Sequence, residues 1–344
     1  MSVKVGINGF GRIGRSFCRA LLARGESDVE LVAVNDPMGD AETMAFLLKH
    51  DSVGGTLHHD VQALADGFSI DGKEVRKLEV MDPSEIPWGQ YGIDVVIEST
   101  GVFTSRDKAA GHLNGGASRV IISAPSNDAD ATICMGVNDE VFDPKSHTVI
   151  SNASCTTNCL APMAKVLNET FGIERGLMTT VHAYTSDQSL QDLSKPTRSG
   201  KPDLRRMRAA ALSIVPSSTG AAKAIGLVLP ELKGRLDGTA LRVPTPTGSI
   251  TDLTVELAIE ASVEEINAAF VAGANDPRYR NVLVYSEEPL VSADIVGNGA
   301  SCIISALDTM ANGHLVKVLG WYDNEWGYSN RLVELAAFVG QPAS

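Results

Sequence analysis

The sequence predicts an α/β chain of two domains. The first is a mostly parallel sheet covered by helices, and the second is an α+β domain with a mostly antiparallel sheet. Three observations carry this. Short apolar runs alternate with helical patterns as far as Ile150, as strands do when helical crossovers join them. Beyond Ile150, strand-like runs predominate and few helical patterns separate them, as in an antiparallel sheet. The chain also opens on a strand, a glycine-rich turn and a helix in immediate succession.

In order along the chain, Val3–Asn8 reads as a buried strand and Arg12–Arg24 as a helix, then Leu31–Asn35 as a strand and Ala41–His50 as a helix. Asp71-Gly72 marks a hairpin turn between Phe68–Ile70 and Val75–Val80. Val95–Glu98, Val120–Ser123, Ile133–Val137 and Thr148–Ile150 read as further short strands. A helix follows Cys155, with apolar residues at Leu160, Met163, Ala164, Leu167 and Phe171. Strand-like runs then cover Met178–Tyr184, Ala240–Val243, Asp252–Ala258, Cys302–Ala306 and Leu315–Trp321, with helices at Gly220–Leu229 and Ser262–Ala272. The last helical pattern, Glu325 to Val339, is apolar at Leu332, Val333, Leu335, Ala336 and Val339. The domain boundary therefore falls near Ser154: residues 1–154, then 155–323, with a C-terminal helix within 324–344 that returns to the first domain.

Composition sets limits on function. The 344 residues are 44% hydrophobic and 21% charged, an ordinary globular balance. A net charge of −13 argues against non-specific nucleic-acid binding. It also draws attention to the cluster Lys195, Arg198, Lys201, Arg205, Arg206 and Arg208, which is either an anion site or a solvated loop. Five cysteines, an odd number, do not form a disulfide framework and point to a reducing, cytoplasmic setting. The start runs straight into a strand, so no secretory leader is expected, and no apolar stretch is long enough to span a bilayer.

Two motifs carry chemistry. Gly9-Phe10-Gly11-Arg12-Ile13-Gly14 is a G-x-G-x-x-G between strand and helix, and Asp36 ends the next strand. Gly9 permits the tight turn, Gly11 lets the backbone approach a pyrophosphate, and Gly14 lets helix and strand pack closely. The helix N-terminus receives the phosphates. A carboxylate at Asp36 accepts from a ribose 2′-hydroxyl and repels a 2′-phosphate, which favours NAD over NADP. The first domain thus reads as Rossmann-type and dinucleotide-binding. The second motif is Ser151-Asn152-Ala153-Ser154-Cys155-Thr156-Thr157-Asn158-Cys159. It places a thiol at a helix N-terminus, where free N–H groups favour an anion and lower a thiol pKa. Of the seven histidines, only His182 lies within an apolar strand followed at once by polar residues, and it is the candidate base for Cys155. Cys155 and Cys159 do not have zinc spacing, so no metal is expected, and Cys159 should face the core.

These motifs, together with Val181-His182-Ala183-Tyr184-Thr185, Ser218-Thr219-Gly220-Ala221-Ala222-Lys223, Leu241-Arg242-Val243-Pro244 and Trp321-Tyr322-Asp323-Asn324-Glu325, resemble glyceraldehyde-3-phosphate dehydrogenase in order and over nearly the whole chain. The resemblance implies that Cys155 is the nucleophile and His182 the base. It assigns Gly9, Gly11, Arg12, Ile13, Gly14, Asp36, Ser123 and Asn324 to NAD, with Asn324 on the nicotinamide carboxamide. It assigns Ser154, Thr156, Thr185, Arg205, Thr219, Gly220 and Arg242 to substrate phosphate or inorganic phosphate, with Arg206 as the alternative to Arg205. It further implies oxidation of D-glyceraldehyde 3-phosphate with NAD and phosphate through a hemithioacetal and a thioester, and a homotetramer. The alternatives are a sister erythrose-4-phosphate dehydrogenase and, in a different class, a redox-sensing or binding role. Met81 departs from the pattern, since many relatives have arginine before the Asp-Pro that here is Asp82-Pro83.

Overall fold

The computed structural model describes residues 2–25, 27–194 and 203–341. Lys195, Arg198 and Lys201 of the basic cluster lie outside the described residues. The chain divides into two compact units, one of Met1–Met135, Asp139–Ala153 and the segment from Ser329 onward, the other of Gly136–Asn138 and Ser154–Tyr328. No helix among the described residues is long and apolar enough to cross a membrane.

In the first unit one sheet runs, in spatial order, Ala131–Thr132, Val149–Ser151, Arg119–Ile122, Val95–Glu98, Val3–Asn8, Val29–Asn35, Lys73–Leu78, Gly67–Ile70 and Val61–Leu64. It is parallel up to Lys73–Leu78, and the expected Asp71-Gly72 hairpin turns the rest antiparallel. Val3–Asn8 reads almost continuously apolar because it is buried on both faces. Its parallel neighbours on the two sides are Val29–Asn35 and Val95–Glu98. Strand order reverses there, and such a switch point opens a crevice at the carboxyl ends of the strands. Ile133–Val137, expected as a strand, is irregular; the pairing covers only Ala131–Thr132. A buried apolar run alone does not distinguish a strand from a buried loop. The last helix, Trp326–Val339, buries Leu332, Val333, Leu335, Ala336 and Val339, and Arg24 at the end of helix Arg12–Ala23 pairs with Glu334 at 2.9 Å.

Beneath the switch point lies a charged group with no exposure. The Glu98 carboxylate accepts from Asn8 Nδ2 at 2.6 Å, from the Thr100 N–H at 2.9 Å and from the Thr100 hydroxyl. Trp88 Nε1–H donates to His112 Nδ1 at 3.1 Å. His112 Nδ1 is therefore unprotonated, and Nε2–H donates to Glu98 at 2.9 Å. The imidazole is neutral and the carboxylate is saturated with donors, which is the condition for tolerating a buried charge. His112→Ala leaves the Trp88 N–H and one Glu98 lone pair unpaired. It should cost about 3 kcal/mol in denaturant unfolding. A midpoint within error of the parent would show that water replaces the ring.

The second unit is built on a sheet of order Val215–Ser218, Leu236–Val243, Ile173–Ala183, Ser249–Leu257, Leu315–Tyr322, Cys302–Ser305 and Leu283–Ser286. Most pairs are antiparallel, as expected, but Ile173–Ala183 runs parallel to Leu236–Val243 and Leu283–Ser286 parallel to Cys302–Ser305. Ser249–Leu257 alternates strictly between buried and half-buried positions, the period of a sheet with one face on the core. Helix Cys155–Phe171 fills that core with Cys159, Leu160, Met163, Ala164 and Leu167, all fully buried. Gly320 permits the close approach, since a Cβ there would lie 2.6 Å from Met163 Sδ and 3.2 Å from Cys159 Sγ. Cys159 therefore faces the core.

Candidate active site

The parallel pairing of Ile173–Ala183 with Leu236–Val243 puts His182 directly beside Arg242. Cys155 enters from the first turn of its helix, which Ser154 caps by accepting the Thr157 N–H at 3.0 Å. Cys155 Sγ and His182 Nε2 are 3.5 Å apart. The sequence separates the two residues widely, and the sheet brings them into contact.

The hydrogen bonds select the tautomer. His182 Nδ1 lies 2.7 Å from the Ala183 carbonyl, so Nδ1 carries the proton and donates it. That leaves the Nε2 lone pair facing the thiol. Arg242 Nη1 is 3.1 Å from Nδ1, but both atoms are donors, so this is a contact and not a bond. The two hydrogens of Nη1 go instead to Ala183 O at 3.2 Å and Thr185 Oγ1 at 2.9 Å. Tyr322 meets the imidazole edge-on, with ring centroids 6.0 Å apart, and its hydroxyl bonds Thr156 Oγ1 at 2.9 Å and Thr180 Oγ1 at 2.7 Å. Sequence reasoning missed Tyr322 as part of the site, although it sits in the quoted Trp321–Glu325 run; nothing local in that run says that the ring packs on a histidine.

Burial dominates the electrostatics. It pulls His182 from 6.5 down to about 3, and the Arg242 charge pushes the same way. Burial also pushes the Cys155 thiol up from its ordinary value, against the attraction of Arg242 and the hydrogen bonds from Thr156 and its own backbone. This reverses the sequence expectation of a lowered thiol pKa. The helix N-terminus acts in the expected direction, but the loss of water around the sulfur outweighs it. The pair is thus arranged as a neutral thiol donating to a neutral imidazole.

Beyond Arg242 the polar chain continues. Thr185 donates to Asp187, and Asp187 also pairs with Arg206. Arg206, half-buried, is therefore linked through Asp187 and Thr185 to Arg242. Arg205 is not: its guanidinium reaches the Pro216 carbonyl at 3.4 Å and is exposed. Thr219 and Gly220 open helix Ala221–Val228, where Thr219 Oγ1 accepts the Ala221 N–H at 3.1 Å. No bond joins them to the Cys155–His182 pair. Asn324 is buried, its Oδ1 accepting from Ser249 Oγ at 2.8 Å, and Ser249 Oγ in turn accepts the Ala183 N–H at 3.0 Å. This ties Asn324 to the end of the His182 strand.

In the first unit, Gly9 has φ +90°, and a Cβ there would lie 2.7 Å from the Thr100 nitrogen. A Cβ on Gly14 would lie 2.4 Å from the Gly9 carbonyl. Gly11, by contrast, faces open space at the N-terminus of helix Arg12–Ala23, whose cap has no side-chain partner. Arg12 leans away to pair with Asp51 at 2.5 Å, Ile13 lies in the first helical turn, and Ser123 follows strand Arg119–Ile122, its N–H on the Glu98 carbonyl at 3.0 Å. Asp36 is held by the Phe10 N–H at 2.8 Å and the Met38 N–H at 3.0 Å, one on each oxygen. Each oxygen keeps a lone pair free. Of these, Gly9, Gly11 and Asp36 line a cavity of about 410 Å³ with no lysine or arginine among its lining residues; Arg12, Ile13, Gly14 and Ser123 are not among them. An open helix N-terminus, a fixed acceptor carboxylate and no cation for a 2′-phosphate fit NAD.

A model of the glyceraldehyde 3-phosphate dehydrogenase NAD binding domain matches residues 3–106, and a model of that enzyme's C-terminal domain matches residues 154–324. The chain is 57% identical over 341 residues to glyceraldehyde-3-phosphate dehydrogenase of Streptomyces coelicolor, covering 99% of both chains. It is 58% identical over 346 residues to the protein of the same name from Mycobacterium avium, again covering 99% of both. Identity to glyceraldehyde-3-phosphate dehydrogenase 2 of Streptomyces arenae is 56% over 340 residues. With family models matched over residues 3–106 and 154–324 and relatives more than half identical over 99% of the chain, the chain belongs to the glyceraldehyde-3-phosphate dehydrogenase family.

Proposed function

We propose that this chain oxidises D-glyceraldehyde 3-phosphate with NAD and inorganic phosphate, through a thioester on Cys155. The observation that carries the reading is the 3.5 Å contact between Cys155 Sγ and a His182 Nε2 whose tautomer leaves it free to accept a proton. As a member of its family the chain is an NAD-dependent oxidoreductase acting on an aldehyde.

Cys155 Sγ attacks the aldehyde carbon as His182 Nε2 takes the thiol proton, and the imidazolium passes that proton to the new oxyanion, giving a hemithioacetal and a neutral His182. His182 then removes the hemithioacetal hydroxyl proton, and the Cys155 N–H at the helix N-terminus stabilises the developing oxyanion. When bound, NAD supplies the hydride acceptor that converts this adduct to a thioester. Gly9, Gly11 and Gly14 admit the pyrophosphate, Asp36 accepts from the ribose, and Asn324 orients the carboxamide. Inorganic phosphate attacks the thioester, and Cys155 leaves as the thiolate. Arg242, Thr185 and Arg206 hold the phosphate groups, and Ser154, Thr156, Thr219 and Gly220 add neutral donors. An anion beside Arg242 cancels the charge that helps hold the imidazole down. Substrate binding therefore makes the base stronger at the moment it is needed.

Arg206, not Arg205, is the phosphate ligand in this reading, because only Arg206 joins the network around Arg242. Arg206→Ala should raise KM for one of the two phosphates by about tenfold or more, and Arg205→Ala should leave both within about twofold. The opposite order would return the role to Arg205. The function itself is tested by NAD reduction with glyceraldehyde 3-phosphate, with and without phosphate, beside erythrose 4-phosphate. Faster turnover of the four-carbon sugar would overturn the assignment, which the names of the full-length relatives favour. We assign the chain to a cytoplasmic homotetramer. The support is an odd count of five cysteines with no disulfide among the described residues, and the exposed side chains of Leu190, Leu204, Leu212 and Ile214, each at least 66% exposed, apolar surface that another subunit would cover.

A further inference from the structure

We propose that Met38 and Met81 form a paired modification site at the base end of the dinucleotide cavity, where oxidation to the sulfoxides weakens NAD binding. The proposal rests on the NAD reading above. Along the cavity, Gly11 faces the pyrophosphate position and Asp36 the ribose. The same lining includes the apolar side chains of Met38, Val80, Met81 and Val102. Met38 is 87% exposed and Met81 72% exposed, while Met44, Met163 and Met178 are buried. An exposed thioether on a cavity wall provides flexible apolar contact for a flat base. It is also the form of methionine most open to attack by a hydroperoxide.

Met38 is coupled to ribose recognition as well, because its own N–H holds Asp36 Oδ1 at 3.0 Å. The chemistry is an oxygen-atom transfer. The peroxide O–O bond breaks as an S–O bond forms, sulfur is oxidised to the sulfoxide, and the peroxide is reduced to water or an alcohol. A sulfoxide at either position places a strong dipole against the base and requires it to be desolvated, so the dissociation constant for NAD should rise about five- to twentyfold. Bound NAD covers both sulfurs and should slow their oxidation.

The experiment uses full-length Cys155→Ser protein, so that the reactive thiol takes no part; the other four cysteines are buried. NAD binding is measured by calorimetry before and after hydrogen peroxide, and sulfoxide is located by peptide mass spectrometry. Met310, 62% exposed and not among the cavity-lining residues, is the internal reference. Support is oxidation of Met38 and Met81 at least as fast as Met310, protection by NAD, loss of affinity, and its recovery with methionine sulfoxide reductase. In the same background the NAD affinity of Met38→Leu/Met81→Leu, compared with its own untreated value, should not fall with peroxide. If the double variant folds poorly, each single leucine variant should lose part of the sensitivity. Affinity that survives full oxidation of both methionines, or equal sensitivity in the leucine variants, overturns the proposal alone. Failure of the untreated protein to bind NAD overturns the functional reading, and this proposal with it.

Discussion

Cys155→Ser should lower aldehyde oxidation by about 10⁴-fold or more while NAD still binds. A serine hydroxyl in the same place faces the same Nε2 atom, so hydrogen bonding survives the change. Acidity does not survive it, because a hydroxyl ionises far less readily than a thiol. The ester it would form also lacks the thioester's reactivity towards phosphate. The measurement is steady-state NAD reduction together with calorimetric NAD binding. Turnover within tenfold of the parent would sink the mechanism, whereas loss of both turnover and NAD binding would indicate misfolding and call for the alkylated parent instead.

His182→Asn should lower kcat/KM by about 10²–10⁴-fold near neutral pH and by much less in strong base. The reason lies in the resting state: burial holds the Cys155 thiol protonated, so without a base the attack must wait for the thiol to ionise by itself. The variant's rate should climb with pH where the parent's has levelled, and a loss independent of pH would show that His182 only positions the substrate. A stability effect accompanies this. In the folded chain His182 binds a proton only near pH 3, against 6.5 for the free side chain. Between those values the unfolded chain holds a proton that the folded chain does not, so stability rises as pH climbs through that window and falls on acidification. His182→Asn should remove that contribution from the acid limb of the stability profile.

Much of the fold could be read from the chain because its signals are local. The first strand, the glycine turn and the helix after it follow from a few residues whose backbone demands are unusual: Gly9 at φ +90°, and Gly14 against the Gly9 carbonyl. The Asp71-Gly72 hairpin, the capped start at Ser154 and the apolar stripe after Cys155 are readable for the same reason. Ile133–Val137 was not, because a buried loop and a buried strand have the same apolar composition. The parallel pairing of Ile173–Ala183 with Leu236–Val243 was also hidden, and it is what sets Arg242 beside His182.

The sequence by itself determined the candidate nucleophile, the candidate base, the carboxylate proposed to read the ribose and the family to which the chain belongs. All of these are residue types at short, recognisable spacings. Only the tertiary structure decided which nitrogen of His182 is free, that Arg206 and not Arg205 is linked through Asp187 and Thr185 to Arg242, that Tyr322 packs on the ring, and that burial pushes the Cys155 thiol up. Each of these depends on which distant strand lies alongside and on how much water the whole fold removes. Desolvation and cross-strand register are sums over the packed molecule, and no short stretch of sequence contains them.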